Sequence, residues 1–413
     1  MGPLAQALHK TGCFSAIICT YSWNTVQLRP HQERALEVLA SKSKGQVIIP
    51  TGGGKTLVAI KDAVRQCEEG RKTIVVVAPR ILLARQLCED FREYVDAKIF
   101  HCHSGYRGYV GGTNSEWIAQ WHEHEKDHNR IIHTTYHSLH RLQEAGIKVD
   151  TIYFDEAHNS TQRNFIEAVE YFSLYADRCY FFTATPKYSY TPMKVGMNES
   201  DIFGEVICKV PAPELVKKGY ILPPKVAILK HDVLKKDELT PHVDCEKIIG
   251  TIKEHSVKKV LICAKATKQI VRLVSQTDFC IELNEMGYNW MYITSKTGAV
   301  INGEKVSREK FFEVLNRWGK EDDRKFIVLH HSILSEGINV SGLEAVLFMR
   351  SMDYIGISQT IGRVIRKGSK EKTYGLVCVP IYSKVGISTA RRVQAVVDTV
   401  FNKGEPAISV VKR

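Results

Sequence analysis

Val47-Ile48-Ile49-Pro50-Thr51-Gly52-Gly53-Gly54-Lys55-Thr56 runs directly into Leu57-Val58-Ala59-Ile60-Lys61-Asp62-Ala63-Val64. A short β-branched run, a glycine turn, Lys-Thr and a helix-patterned segment form the strand–turn–helix context in which a phosphate-binding loop is credible. Glycines at 52, 53 and 54 let backbone N–H groups curl around phosphate oxygens, and the helix N-terminus adds a favourable field. Thr51 belongs to the same cradle. Lys55 is placed to reach β- and γ-phosphates, and the Thr56 hydroxyl to hold Mg²⁺. The strict motif is broken only at its start, where Ile49 stands in place of the first glycine. The stretch implies a nucleotide site.

Working outward, similar apolar runs recur at Ile74–Val77, Ile131–Ile132, Ile152–Phe154 and Tyr180–Phe182. They return at Val260–Ile262, Phe326–Leu329, Ala345–Phe348 and Gly375–Val379. Strands apolar on both faces and alternating with helical segments predict a mostly parallel sheet covered on both sides. Between the two sets, Pro211-Ala212-Pro213 and Pro223-Pro224 flank a basic turn and mark a boundary. The expected organisation is an extension over 1–23, an α/β domain over 24–212, a linker over 213–224, a second α/β domain over 225–385 and a basic helical tail over 386–413.

The chain has 413 residues, 44% hydrophobic and 25% charged. That is ordinary for a globular protein, and the length suits two cores better than one. Lys+Arg number 57 against Asp+Glu 45, a net charge of +12. The excess suits a polyanionic partner such as nucleic acid. No stretch approaches the roughly 18 apolar residues of a membrane span. The 11 cysteines are scattered without a CxxC pair, so they read as core residues of a chain in the reducing cytoplasm. Cys13–Thr20 resembles a short secretion signal only superficially, since Ser and Thr interrupt it and no Ala-x-Ala follows. It is read as a local extension.

After Ile152-Tyr153-Phe154 comes Asp155-Glu156-Ala157-His158. An acidic pair ending a buried strand, about 100 residues past the glycine turn, sits at the nucleotide edge of such a sheet. Asp155 would hold Mg²⁺ and Glu156 would polarise the attacking water. In the second half, Gln359, Arg363 and Arg366 stand at spacings that share one helix face. Two guanidiniums there could clamp developing γ-phosphate charge.

Together these motifs resemble superfamily 2 helicases, over roughly residues 27–380. The resemblance implies two tandem RecA-like domains with ATP between them, and Arg363 and Arg366 acting across the cleft as arginine fingers. Gln27–Gln32 resembles the adenine-reading segment, implying that Gln32 reads the base edge and Arg29 lines its pocket. Thr183-Ala184-Thr185 resembles the motif coupling hydrolysis to strand movement, to which His158 is joined. Ala78-Pro79-Arg80 and Thr134-Thr135-Tyr136 resemble elements that grip nucleic-acid phosphates, while ordinary strand propensity also accounts for Thr134 and Thr135. Ser335–Asn339 resembles the motif whose glycine, Gly337, approaches ATP; many relatives carry Asp where Asn339 stands. Lys296, in the turn Thr294-Ser295-Lys296, is either a phosphate contact or a solvated lysine.

Leu28-Arg29-Pro30-His31-Gln32, Thr-Ala-Thr and Ile361–Arg366 resemble phage recombination helicases and restriction-enzyme motor subunits. RNA helicases with the Asp-Glu-Ala-His string usually carry Arg and Gly where Thr360 and Ile365 stand. The expected function is an ATP- and Mg²⁺-dependent DNA helicase or translocase in recombination, repair or replication, monomeric in solution. An RNA helicase, or a motor subunit dependent on a protein partner, is the alternative. The histidines of 101–128 fit no common zinc spacing, and read as a polar insert rimming the nucleic-acid face beside Tyr106, Tyr109, Trp117 and Trp121, aromatics that either stack bases next to Arg107 or anchor the loop.

Overall fold

The computed structural model describes residues 27–106, 108–230, 240–331, 340, 342–368, 372–381 and 384–411. The 1–23 extension, Gly337 and Asn339 lie outside the described residues.

The first half contains β1 (Lys44–Ile48), β2 (Thr73–Ala78), β3 (Lys98–Cys102), β4 (Arg130–Thr135), β5 (Thr151–Phe154), β6 (Arg178–Thr183), β7 (Lys187–Ser189) and β8 (Val206–Lys209). Seven of these form a sheet in the order β3-β4-β2-β5-β6-β1-β8, and every pairing in it is parallel. The alternation along β2 shows why both faces are apolar. Ile74 and Val76 enter the core beneath helices Pro30–Ser41, Lys55–Glu68 and Ile81–Arg92. Val75 and Val77 enter a separate core beneath helices Ser115–His124, Leu139–Glu144 and Ile166–Tyr175. All four are essentially inaccessible, and burial of each such side chain is worth about 1.5–3 kcal/mol.

The second half contributes β9 (Pro224–Lys230), β10 (Lys259–Cys263), β11 (Asn289–Thr294), β12 (Gly298–Ile301), β13 (Glu304–Val306), β14 (Phe326–His330), β15 (Ala345–Phe348) and β16 (Gly375–Ile381). They form an eight-stranded sheet in the order β13-β12-β11-β14-β10-β15-β16-β9. It is parallel except at the β11–β12–β13 edge, which folds back as antiparallel hairpins. Again the strands serve two cores: Leu261 faces Phe311, Leu315 and Ile361, while Val260 and Ile262 face Ile248 and Leu273. These are two RecA-like α/β layers, each sheet covered by helices on both faces.

One apolar cluster joins the halves, running from Val47 and Leu215 through Ile221 and Leu222 to Val364 and Ile365. The tail's helix packs on β16 and on helix Tyr354–Val364 of the second half, as expected, but the residues after it do not stay helical. The tail is helical over Lys384–Val396, passes through a wider turn at Val397–Asn402, and then extends. β17 (Ser409–Val411) pairs in parallel with β7 of the first half. Gly404, at φ +76°, releases the helix, and Gly404-Glu405-Pro406 cannot continue it.

Candidate nucleotide cleft and strand-binding face

β1 ends at the glycine turn, and β5 ends at Asp155-Glu156. β6 lies between them, with Thr183 beside Ile48, so the Thr183–Thr185 segment stands between the loop and the acidic pair. The apolar run Tyr180–Phe182 marks this strand in the sequence, but not its place between the loop and the acidic pair. Gly54 adopts φ +85° as it enters the helix; a Cβ there would lie 2.2 Å from Gln32 Nε2. Only glycine fits that turn.

Arg29, Thr51, Gly52, Lys55, Thr56 and Asp155 line one cleft of about 380 Å³ with Glu156, Gln359, Arg363 and Arg366. Residues from both sheets thus face one space large enough for a nucleotide. The expected single helical face needs correction. Helix Tyr354–Val364 carries Gln359 and Arg363, but it ends before Arg366, which lies in the following turn. Ile365 O accepts from Leu222 N at 2.7 Å, and Lys372 Nζ donates to the carbonyls of Val364 and Arg366. These bonds satisfy the helix end that the sequence pattern ran through. Burial pushes the Lys372 ammonium down to about 8.

Gln32 also departs from expectation. Its carboxamide donates to Gly53 O at 3.3 Å and Gly54 O at 3.4 Å and accepts from Arg29 N at 2.9 Å. Its polar ends fasten the glycine loop instead of facing a base. His31 Nε2 adds a bond to Gly53 O at 2.7 Å, and burial lowers its basicity. Gly53 itself faces inward, where a Cβ would meet Ile49 Cγ2 at 2.5 Å. The cleft's aromatic wall is Tyr220, 4.6 Å beneath the Arg29 guanidinium, a residue the sequence reading placed in a linker.

Burial, reinforced by Glu156, raises the Asp155 carboxyl to about 7 even though Lys55 pulls it down. Burial also penalises Glu156, but Lys55, His158, Gln359 and Arg363 outweigh it and hold Glu156 ionised. Burial lowers Arg363 to about 10, and Arg366 adds to the shift. Glu156 sits at φ 47°, a sparsely populated backbone region for a non-glycine residue and a feature of functional turns. Gln359 Nε2 donates to Glu156 Oε2 at 3.2 Å. His158 Nδ1 lies 3.2 Å from Thr183 Oγ1 and 3.4 Å from Thr185 Oγ1, while its Nε2 accepts from Asn159 at 3.2 Å. A chain of contacts therefore runs from Gln359 through Glu156 and His158 to Thr183.

A second cleft, of about 430 Å³, is lined by Pro79, Arg80, Arg85 and Thr135 from the first half and Arg308 and Phe312 from the second. Thr134 is not part of it. Its hydroxyl is buried and donates to Cys102 O at 2.9 Å, so it braces the β3–β4 pair. Lys296 stands exposed on the β11–β12 turn and does not line this cleft. Arg308 and Phe312 carry no motif and were not singled out by the sequence.

A sequence profile of the type III restriction enzyme, res subunit family matches residues 25–188. The DNA 3'-5' translocase XPB2 of Sulfurisphaera tokodaii is 25% identical over 382 residues, covering 84% of this chain and 80% of the relative. The endoribonuclease Dicer homolog 3b of Oryza sativa subsp. japonica is 31% identical over 148 residues, 33% of this chain but only 9% of that protein. Among solved structures, the ATP-dependent Type ISP restriction-modification enzyme LlaBIII bound to DNA superposes with a TM-score of 0.70 at 20% identity. That match covers 94% of this chain and 31% of the enzyme. Of the Type ISP enzyme LlaGI, in complex with a DNA substrate mimic, the chain spans 30% (TM-score 0.64, 21% identity, 93% of this chain). Residues 25–188 thus match the type III restriction enzyme, res subunit family, and the chain as a whole resembles superfamily 2 helicases and carries the tandem RecA-like fold.

Proposed function

We propose that the chain is a nucleic-acid-stimulated ATPase that translocates on, and remodels, DNA. The observation that carries this reading is the shared cleft: Lys55 and Glu156 from one sheet face Gln359, Arg363 and Arg366 from the other. Such a site is complete only when the halves are closed, which links hydrolysis to relative motion. The glycine loop and Lys55 hold the phosphates, Arg29 and Tyr220 flank the base, Glu156 orients water, and the arginines stabilise developing charge. His158, Thr183 and Thr185 relay closure toward the strand-binding face.

The Thr56 hydroxyl and Asp155 carboxylate are hard oxygen donors suited to Mg²⁺. The raised Asp155 carboxyl marks a buried negative pair short of positive charge. When bound there, the ion would neutralise phosphate charge. Arg80, Arg85, Thr135 and Arg308 would hold the phosphates of the tracked strand.

DNA is favoured over RNA because XPB2 is a DNA translocase and LlaBIII is bound to DNA. We place the protein in the cytoplasm, monomeric, in recombination, repair or replication; among the described residues no helix is long and apolar enough to cross a membrane. A partner-dependent motor is the second reading, favoured by the chain spanning only 31% of LlaBIII. ATPase rates at one fixed salt, without nucleic acid and with single-stranded, duplex or branched DNA or RNA, test both. Stimulation by DNA over RNA is expected. Equal or better stimulation by RNA would overturn the DNA assignment, and no stimulation at all would favour the partner-dependent motor.

A further inference from the structure

The edge strand β3 borders a third cavity, of about 390 Å³, which shares no lining residue with the strand-binding cleft. Its walls include Tyr109, Trp117, Trp121 and His101, with Arg92 and Lys98 among its polar residues. Trp121 is anchored on Phe100, ring centroids 4.9 Å apart, so its indole is fixed before any ligand arrives. The His101 imidazole is fully buried, 4.3 Å from the Tyr109 ring. Its Nδ1 meets His103 Nε2 at 3.1 Å, and its Nε2 has no hydrogen-bond partner among the described residues. A buried polar atom without a partner costs stability, and a ligand edge would relieve that cost.

Arg85 connects this cavity to the strand-binding cleft. It lines the cleft, donates to Gly105 O, and places its guanidinium 5.6 Å from the centroid of Tyr109. A strand held on Arg80 and Arg85 therefore passes within one side chain of the aromatic walls.

We propose that this cavity is a second nucleic-acid site, which takes a nucleobase unstacked from a single strand lying in the Arg80–Arg85 cleft. Aromatic faces accept any base by stacking, His101 and the backbone rim meet its polar edge, and Arg92 and Lys98 meet the flanking phosphate. The volume suits a nucleoside. The inference rests on the nucleic-acid reading above but adds to it a dependence on bases. Contacts to phosphates alone carry no such dependence.

The test compares affinity for a thymidine oligonucleotide with that for an abasic strand of the same length, at one salt concentration. The unaltered chain is expected to bind the base-bearing strand roughly tenfold more tightly. Tyr109→Ala, at a half-buried position, and Trp117→Ala remove that advantage and leave the abasic affinity unchanged; Trp117→Phe retains most of it. Unstimulated ATPase is unchanged in all three variants, which also reports that they fold. Equal binding of the two strands by the unaltered chain would overturn the pocket while leaving the nucleic-acid reading intact. So would an advantage that survives in both alanine variants. Failure to bind either strand would overturn the single strand in the Arg80–Arg85 cleft and the pocket with it, and lack of ATPase stimulation by duplex DNA as well would overturn the nucleic-acid reading.

Discussion

Gln359 and Glu156 lie 203 residues apart in the chain and in different halves, yet the Gln359 amide donates to the Glu156 carboxylate at 3.2 Å. The same amide nitrogen lies 3.5 Å from His158 Nε2. One polar side chain of the second half thus touches both the proposed water-orienting carboxylate and the first member of the coupling chain. Glu156→Gln keeps the shape and removes the charge. It should lower turnover by about 10²–10⁴ with ATP affinity retained. Single-turnover hydrolysis and nucleotide binding, measured side by side, check this; turnover within threefold of the unaltered chain would remove Glu156 from the chemistry.

Arg363 is buried beside Arg366 and Glu156, where a planar fork can meet phosphate oxygens that a lysine would meet as a point charge. Arg363→Ala should cost on the order of 10³ in turnover with ATP binding largely intact, and Arg363→Lys should not rescue it. Rescue by lysine would mean that charge suffices and that geometry does not matter.

Gly362 lies against the glycine loop: a Cβ there would sit 2.4 Å from Thr51 Cβ. No rotamer of Thr51 moves its Cβ, so Gly362→Val must push the helix and the loop apart. Turnover should fall by about 10²-fold through misplacement of Arg363. The separate cores of the two sheets are untouched, so secondary structure should persist. Steady-state kinetics with circular dichroism distinguish this from unfolding. Near-normal turnover would show that the halves work with this contact open.

The strands that bury both faces were legible from Val and Ile runs, as was the glycine loop from its Lys-Thr ending. The acidic pair was legible because Asp155 follows Phe154 directly. Less legible were elements whose residues look polar or mixed. β3 reads Lys-Ile-Phe-His-Cys, and β8 reads Val-Ile-Cys-Lys with partly exposed side chains; edge strands need no continuous apolar run. Tyr220 and Arg308 were missed because they join the clefts only through the tertiary fold. Gln32 and Thr134 look like ligand contacts in isolation, and only their hydrogen-bond partners reveal them as braces.

His101 and His133, in register on the neighbouring strands β3 and β4, form a buried group with His103, just past the end of β3. Burial, with help from neighbouring cations and histidines, lowers His101 and His103 to about 4 and His133 well below the usual value. The folded chain therefore holds them neutral while the unfolded chain protonates near 6.5. Their contribution to stability is complete above pH 6.5 and is lost as pH falls from there toward about 4. Each proton taken up on unfolding steepens the loss by roughly 1.4 kcal/mol per pH unit. Asp155, raised to about 7, takes up a proton in the folded chain over the same range and opposes this loss, so the check is a difference: below pH 6.5 the melting temperature of His133→Leu should fall less, or rise more, than that of the unaltered chain. Parallel pH profiles for the two proteins would rule out His133 as a source of the acid sensitivity.

The tail ties the halves together a second time. Val400 and Phe401 pack in the joining core, Lys209 pairs with Glu405 at 2.6 Å, and β17 adds backbone bonds to β7. The exposed ion pair alone is worth little, but a tether raises the effective concentration of one half near the other. Because Arg363 and Gln359 reach Glu156 only when the halves are together, ending the chain after Asn402 should favour open forms. The expected outcome is a larger radius of gyration by solution scattering and unstimulated turnover lower by roughly tenfold. Saturating nucleic acid, which draws the halves together by binding both, should restore most of the rate. An unchanged radius and basal rate would show that the joining core alone sets closure, and that β17 only decorates the first half.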